Sequence, residues 1–223
     1  MSSAVYERYS QTVCRQITSV LIISPETYVN HIAPFKPEGS MIIRKAARVV
    51  GKSLFFRNAT VADAEFILSL RTDREKSRYL SFVSGKLADQ QAWMECYAKA
   101  EDQAYFIIMN QDDPIGTIRL YDPQGDSFCW GSWILKNGRP SHAAMESVLM
   151  LYAYATDHLG FTAAHFDVRK GNERVWQFHE RFGAKRVSET EIDYFYELDN
   201  DAILTSRKRY SCFLEGSVRV EFL

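Results

Sequence analysis

The chain is poor in the features that mark several common classes of protein, and each shortage excludes something. Its four cysteines, Cys14, Cys96, Cys129 and Cys212, are scattered, with no CxxC pair and no histidine at ligand spacing. That pattern provides neither a zinc site nor a disulfide framework; it fits reduced thiols in a cytoplasmic protein, and no metal is expected. No stretch approaches the roughly 20 apolar residues of a spanning helix. Val13 to Ile23 is the nearest imitation of a signal core, but Arg15 and Gln16 interrupt it and no small-residue cleavage site follows. Excess charge is missing too. A formal net charge of −1 leaves no electrostatic footprint for nucleic acid, and the run Arg207, Lys208, Arg209 is too short to supply one.

What is present is material for a core. Of the 223 residues, 46% are hydrophobic and 13% aromatic, enough for a packed globular interior in a length between one and two typical domains. The first 40 residues differ in character: they hold Pro25, Pro34 and Pro37, and Pro37-Glu38-Gly39-Ser40 reads as a linker. Residues 1–40 are therefore expected to be an extension of unknown role, followed by a single domain over 41–223. Met41 to Val50 fits a short helix or a strand.

From Leu54 the pattern sharpens. LFFRNAT reads as a strand, and Thr60 with Asp63 three residues on makes a capping-box start for a helix ending near Arg71. A polar connection through Lys86 follows, anchored by Tyr79, Leu80, Phe82 and Val83, and its length suits a substrate-facing loop. Asp89 to Ala100 reads as a second helix with Trp93, Met94 and Tyr97 on one face. AYFIIMN, IGTIRLY and SFCWGSWIL, separated by DDP and DPQGD turns, then read as antiparallel strands.

The segment from Phe128 to Gly183 organises the rest. FCWGSWIL is apolar, KNGRPS is a polar break, and HAAMESVLMLYAYATDHLG is a long apolar helix that stops at a glycine. AAHFDVR and NERVWQFHERFG repeat the strand-helix unit, with an Asn at the helix start and Gly183 at its end. A polar loop at the mouth of a helix presents free N–H groups and the positive end of the helix dipole, which suits a phosphate-bearing ligand. A β-rich run ending in DYFYEL, a cap at Asp199 or Asn200 and the helical stretch AILTSRKRYSCFL complete the chain.

The order β-α-α-β-β-β-α-β-α-β resembles the GNAT N-acetyltransferase superfamily over roughly Leu54 to Leu198. RNATVADAEFILSLRTD matches the opening strand and helix, NERVWQFHERFGA the closing motif, and NGRPSHAA the loop between them. Within the superfamily the layout is similar to the branch of ribosomal-protein and amino-sugar N-acetyltransferases. The loop departs from the family's usual glycines, with small residues at Ser141, Ala143 and Ala144 instead. The resemblance implies an α/β (α+β) fold with a central, mixed but mostly antiparallel twisted sheet flanked by helices and splayed between the fourth and fifth strands.

It also implies acetyl-CoA as co-substrate and transfer of its acetyl group to a primary amine. The acceptor expected is a small metabolite such as an amino sugar. A protein N-terminal acetyltransferase and a non-catalytic coenzyme-binding module are the alternatives, and a homodimer is compatible with either. Asn137, Gly138, Arg139, Ser141, His142 and Ala143 are the expected pyrophosphate site. Asn172 starts a helix expected to face the coenzyme. Gly131, between bulky neighbours, suggests a bulge or a close backbone approach, after which Trp133 and Ile134 would present N–H groups to the thioester carbonyl. His179, at the family's tyrosine position, is expected to protonate the leaving thiolate, and Glu146 to act as base for the amine, with Asp126 and Glu95 as competitors.

Overall fold

The computed structural model describes residues 41–73, 75–80 and 83–223. The extension expected at 1–40, Cys14, and Phe82 of the polar connection lie outside them. Among the described residues nine strands form one sheet: β1 (Ala46–Val50), β2 (Phe55–Asn58), β3 (Ala104–Asn110), β4 (Asp113–Gln124), β5 (Ser127–Leu135), β6 (Ala163–Arg169), β7 (Lys185–Glu189), β8 (Asp193–Leu198) and β9 (Arg219–Phe222). Their order is β7-β8-β6-β5-β4-β3-β2-β1-β9. Neighbours are antiparallel except β5 and β6, which run parallel and pair only through Ser127, Phe128 and Cys129 against Ala163, Ala164 and His165. Beyond Cys129 these two strands part. Counted from β2, where the sequence pattern becomes clear, they are the fourth and fifth strands, as expected.

Among the described residues five α-helices flank the sheet: α1 (Ala64–Thr72), α2 (Leu87–Lys99), α3 (Ala143–Ala153), α4 (Glu173–Arg181) and α5 (Asn200–Arg209). Asp63 fixes the start of α1, because its carboxylate accepts the Thr60 backbone N–H at 2.8 Å while also pairing with Arg57 at 2.6 Å. Helix α3 is buried on nearly every side, as its apolar sequence dictates, and it unwinds through a π-helical turn at Tyr154–His158 before Gly160. No helix among the described residues is long and apolar enough to cross a membrane. The C-terminal helix is shorter than its sequence suggested, ending at Arg209, and the sequence RVEF folds back as β9 against β1.

Alternation along the central strands divides the core in two. Ile118 and Leu120 of β4, Phe128 and Trp130 of β5, and Phe166 and Val168 of β6 join α3 in the larger cluster. Helices α1 and α2 cover the opposite face at one end of the sheet, around Ala64, Ile67, Met94, Tyr97 and Tyr105. Next to that second cluster, Arg119, Tyr121, Gly131 and Asp167 surround a cleft that the helices leave open.

Candidate active site

The cleft, about 500 Å³ in volume, lies where β5 and β6 separate. Both strand faces contribute to it: Trp130, Phe166 and His179 from the α3–α4 side, Arg119, Tyr121 and Asp167 from the α1–α2 side. A bulge on β5 opens the gap. Thr117 pairs with Ile134 but Arg119 pairs with Gly131, so three steps on β5 oppose two on β4, and Ser132 takes up the extra residue with φ of 48°. The Ser132 carbonyl accepts the Thr117 hydroxyl at 2.7 Å, which holds the distortion in place. Gly131 itself serves close approach, since a Cβ there would lie 3.1 Å from the Tyr121 hydroxyl.

The sequence-predicted residues divide into three groups. The loop from Asn137 to Ser141 and the first turn of α3 stand together beyond the end of β5. Gly138 occupies the left-handed region with φ of 74°, and Arg139 donates to the Lys136 carbonyl at 3.3 Å. No side chain caps the helix, whose N-cap residue is His142. The N-terminal turn therefore keeps backbone donors for a ligand, and the small Ala144 there is only partly buried. This is where the residues present fit a coenzyme pyrophosphate. Ala143, by contrast, is fully buried and supports the turn from behind.

Trp133, Ile134, Asn172 and His179 form the second group, around the gap. The Trp133 indole N–H donates to the Ser147 hydroxyl at 3.2 Å and its ring packs on Phe178. Ile134 is buried beyond the bulge. Asn172 is the N-cap residue of α4, with no hydrogen bond from its side chain to the first turn, and lines the cleft together with Val175 and His179, one face of the helix at i, i+3 and i+7.

His179 and Glu146 lie in surroundings that do not suit the roles expected of them. The His179 ring is wedged against Phe166 at 4.2 Å and Trp130 at 5.1 Å, and this burial pushes its pKa down to about 3. A neutral imidazole carries no surplus proton for a thiolate. Glu146 is buried away from the cleft, where its Oε1 accepts the backbone N–H groups of Ser53 at 2.6 Å and Leu54 at 2.9 Å. It ties α3 to the β1–β2 turn and cannot reach an amine. Neither competitor lines the cleft: Asp126 bonds Thr162 in the β4–β5 turn, and Glu95 is exposed on α2.

Sequence reading missed Asp167. It projects from β6 into the cleft, and burial, reinforced by the charge of Asp193, raises its carboxyl to about 6. Tyr121 and Cys129 lie close enough to feel its charge, and burial pushes both of their pKa values upward. A carboxylate with a pKa near neutrality, beside a gap between strands, is suited to accept a proton. The signal was present in AAHFDVR, where one acid stands between the buried apolar Phe166 and Val168. Among the described residues no cluster of side chains could hold a metal ion.

A model described as an acetyltransferase (GNAT) domain matches residues 53–185. The chain belongs to the GNAT acetyltransferase family. The solved structure of apo FdhC, a nucleotide-linked sugar GNAT, is 37% identical with a TM-score of 0.68, over 75% of this chain and 98% of that one. A GCN5-related N-acetyltransferase from Brucella melitensis shares the fold at 13% identity and a TM-score of 0.65, over 79% of this chain and 90% of its own. So do mutant forms of the spermidine/spermine N-acetyltransferase SpeG from Vibrio cholerae, at 13% identity and 0.58, over 69% and 97%. No curated protein matches the chain.

Proposed function

We propose that the protein transfers the acetyl group of acetyl-CoA to the primary amine of a small metabolite, of the amino-sugar kind. The observation that carries this reading is the cleft at the parting of β5 and β6, which has an uncapped helix start beyond one end and a raised carboxyl inside it. When bound, acetyl-CoA supplies the thioester acetyl group. The N-terminal turn of α3, at Ala144 and Met145, holds its pyrophosphate through backbone N–H groups, with Arg139 near enough in sequence to add charge. The β5 backbone past the bulge, at Trp133 and Ile134, borders the slot for the pantetheine arm.

Asp167 takes the proton that an alkylammonium of pKa about 10 must lose before its nitrogen can attack. A small acceptor suits a cleft of about 500 Å³ to which Leu68 and Arg71 of α1, Trp93 of α2, and Tyr79, Leu80 and Val83 of the connection contribute walls. Because the 37% identical relative is a nucleotide-linked sugar GNAT, nucleotide-linked amino sugars come first among acceptors to try.

The test is release of coenzyme A over a panel of amino sugars, polyamines and peptide N-termini, with acetyl-CoA binding measured separately. Turnover on amino sugars alone is the expected result. Binding without turnover on any amine would make the protein a coenzyme-binding module, and preference for peptides would make it a protein acetyltransferase.

A further inference from the structure

Arg119 is the least explained charge in the cleft. It projects from the middle of β4 between Tyr105 on β3 and Gly131 on β5, its partners across the sheet. Its guanidinium lies 5.1 Å from the Trp93 ring centroid and 4.6 Å from that of Tyr121. Those aromatic faces hold the plane of the group in place. Among the described residues it forms no ion pair, and its Nε is buried without a hydrogen-bond partner. Burial lowers its pKa, and Tyr121, Tyr105, Cys129 and the Asp102 carboxylate offset that loss of water only in part.

An uncompensated buried cation is costly to a fold, and nothing in the core here benefits from it. Its ion-pairing capacity faces the cleft, on the same side as Asp167. Arg71 and Lys86 line that cleft too, and the other carboxylate there, Asp89, already accepts the Ser84 hydroxyl. The neighbouring Gly131 lets the Tyr121 ring close in beside Arg119, so a ligand group meets the guanidinium at its edge, where the N–H groups point.

We propose that Arg119 anchors a phosphate group of the acceptor, so that the substrate is an amine that also bears a phosphate ester or diphosphate. The inference rests on the acetyltransferase reading and narrows it. The division of labour is spatial: the phosphate sits on Arg119 over β4, and the amine reaches across β5 to Asp167. Coenzyme phosphates are held elsewhere, at the start of α3, so the two anionic sites are separable by mutation.

Glucosamine and glucosamine 1-phosphate present the same amine without and with a phosphate. Each is measured for binding by calorimetry in the presence of coenzyme A, and separately for turnover with acetyl-CoA. The full-length wild-type protein is expected to bind the phosphate ester at least ~10-fold more tightly than glucosamine. Arg119→Gln should weaken that binding by about 10²-fold, down to the level of glucosamine, with acetyl-CoA affinity unchanged. Arg119→Lys, which keeps the charge but not the planar stack, should fall between the two. Because Arg119→Gln removes an unpaired buried charge, its melting temperature should be equal to or above that of wild type.

Equal binding of the two sugars by the wild-type protein, or a phosphate preference that survives in Arg119→Gln, overturns the proposal. So does failure to bind the phosphate ester at all. Phosphate-selective binding without turnover on any amine would instead remove the acetyltransferase reading and leave the anchor standing.

Discussion

Strands β4, β5 and β6 send alternate side chains to two faces, and the faces differ in chemistry. Toward α3 and α4 they present Ile118, Leu120, Phe128, Trp130, Phe166 and Val168, which pack with Tyr152, Phe182 and the buried ring of His179. Toward α1 and α2 the intervening positions are Arg119, Tyr121, Cys129, Gly131 and Asp167. One face is dominated by apolar packing, into which the neutral His179 ring and the Tyr152 hydroxyl, accepting the Trp130 indole N–H, are absorbed. The other holds buried titratable groups whose pKa values are displaced by desolvation, an arrangement that costs stability and becomes useful only with a ligand. The same short strands therefore separate the structural half of the protein from the chemical half by a period of two, and the splay between β5 and β6 lets one ligand touch both.

The largest expected effect lies on the chemical face. Asp167→Asn should lower kcat by about 10² to 10⁴, the usual range for loss of a general base, with acetyl-CoA affinity preserved. In the wild-type protein kcat/KM should rise with pH through a limb near 6, the value to which burial raises this carboxyl, and the variant should lose that limb. Stability runs the other way. A carboxyl raised from 3.8 to about 6 favours folding most when protonated, below about pH 4, and this contribution is lost as pH rises through 6. Asp167→Asn should therefore be more stable than wild type at pH 7 while being nearly inactive. Urea unfolding at pH 4 and pH 7 checks the sign, and a variant that loses stability at pH 7 would move Asp167 to the structural half.

Coenzyme binding comes next. Ala144→Glu adds bulk and a negative charge to the uncapped first turn of α3 and should weaken acetyl-CoA binding by about 10²-fold in a folded protein. Ala143 is unsuitable for this purpose, since a charge at a fully buried position would report on folding instead. Unchanged affinity in Ala144→Glu would place the pyrophosphate elsewhere. Glu146→Ala belongs to the structural face. It leaves the N–H groups of Ser53 and Leu54 without their acceptor, which should cost about 3 kcal/mol in denaturant unfolding. Per folded molecule the rate should stay near wild type, and a specific loss of kcat would return Glu146 to the chemistry.

Much of this division was legible in the sequence. The strand-helix order, the break at KNGRPS and the helix closed by Gly183 all follow from periodicity and turn residues, which are local. The capping pair Thr60 and Asp63 was legible for the same reason. Less local features were not. The alternation RVEF is visible at the C-terminus, but nothing nearby in sequence shows that it pairs with β1, at the other end of the domain. Glu146 looked available because it lies in the first turns of a helix; only the tertiary position of the β1–β2 turn occupies its oxygens. Asp167 and His179 illustrate the same limit from opposite sides, since each owes its ionisation to what surrounds it, and sequence names the group without its solvent.

His179 is the residue for which the comparison predicts the smallest catalytic effect. It lines the cleft and sits in the closing helix, so position alone suggests a proton donor. Its neighbours argue otherwise: Trp130, Phe166 and Phe178 surround it with rings, and their exclusion of water holds its pKa at about 3. It is neutral at any pH where the amine is reactive and contributes no limb to the rate profile between pH 5 and about 9. His179→Phe, which keeps the aromatic packing, should change kcat by less than about 10-fold, whereas His179→Ala should lose about 2 to 3 kcal/mol of stability through the cavity it leaves. Acid stability supplies a second readout. The depressed pKa means that the stability tied to this ring is present above its ordinary value of 6.5 and is lost as pH falls toward 3, because the unfolded chain takes up the proton first. His179→Phe should flatten that acid loss. If both variants instead lower kcat by 10² or more with coenzyme affinity intact, the ring carries a proton in the bound complex after all, and the boundary between the packed face and the chemical face passes through α4 and not through the sheet.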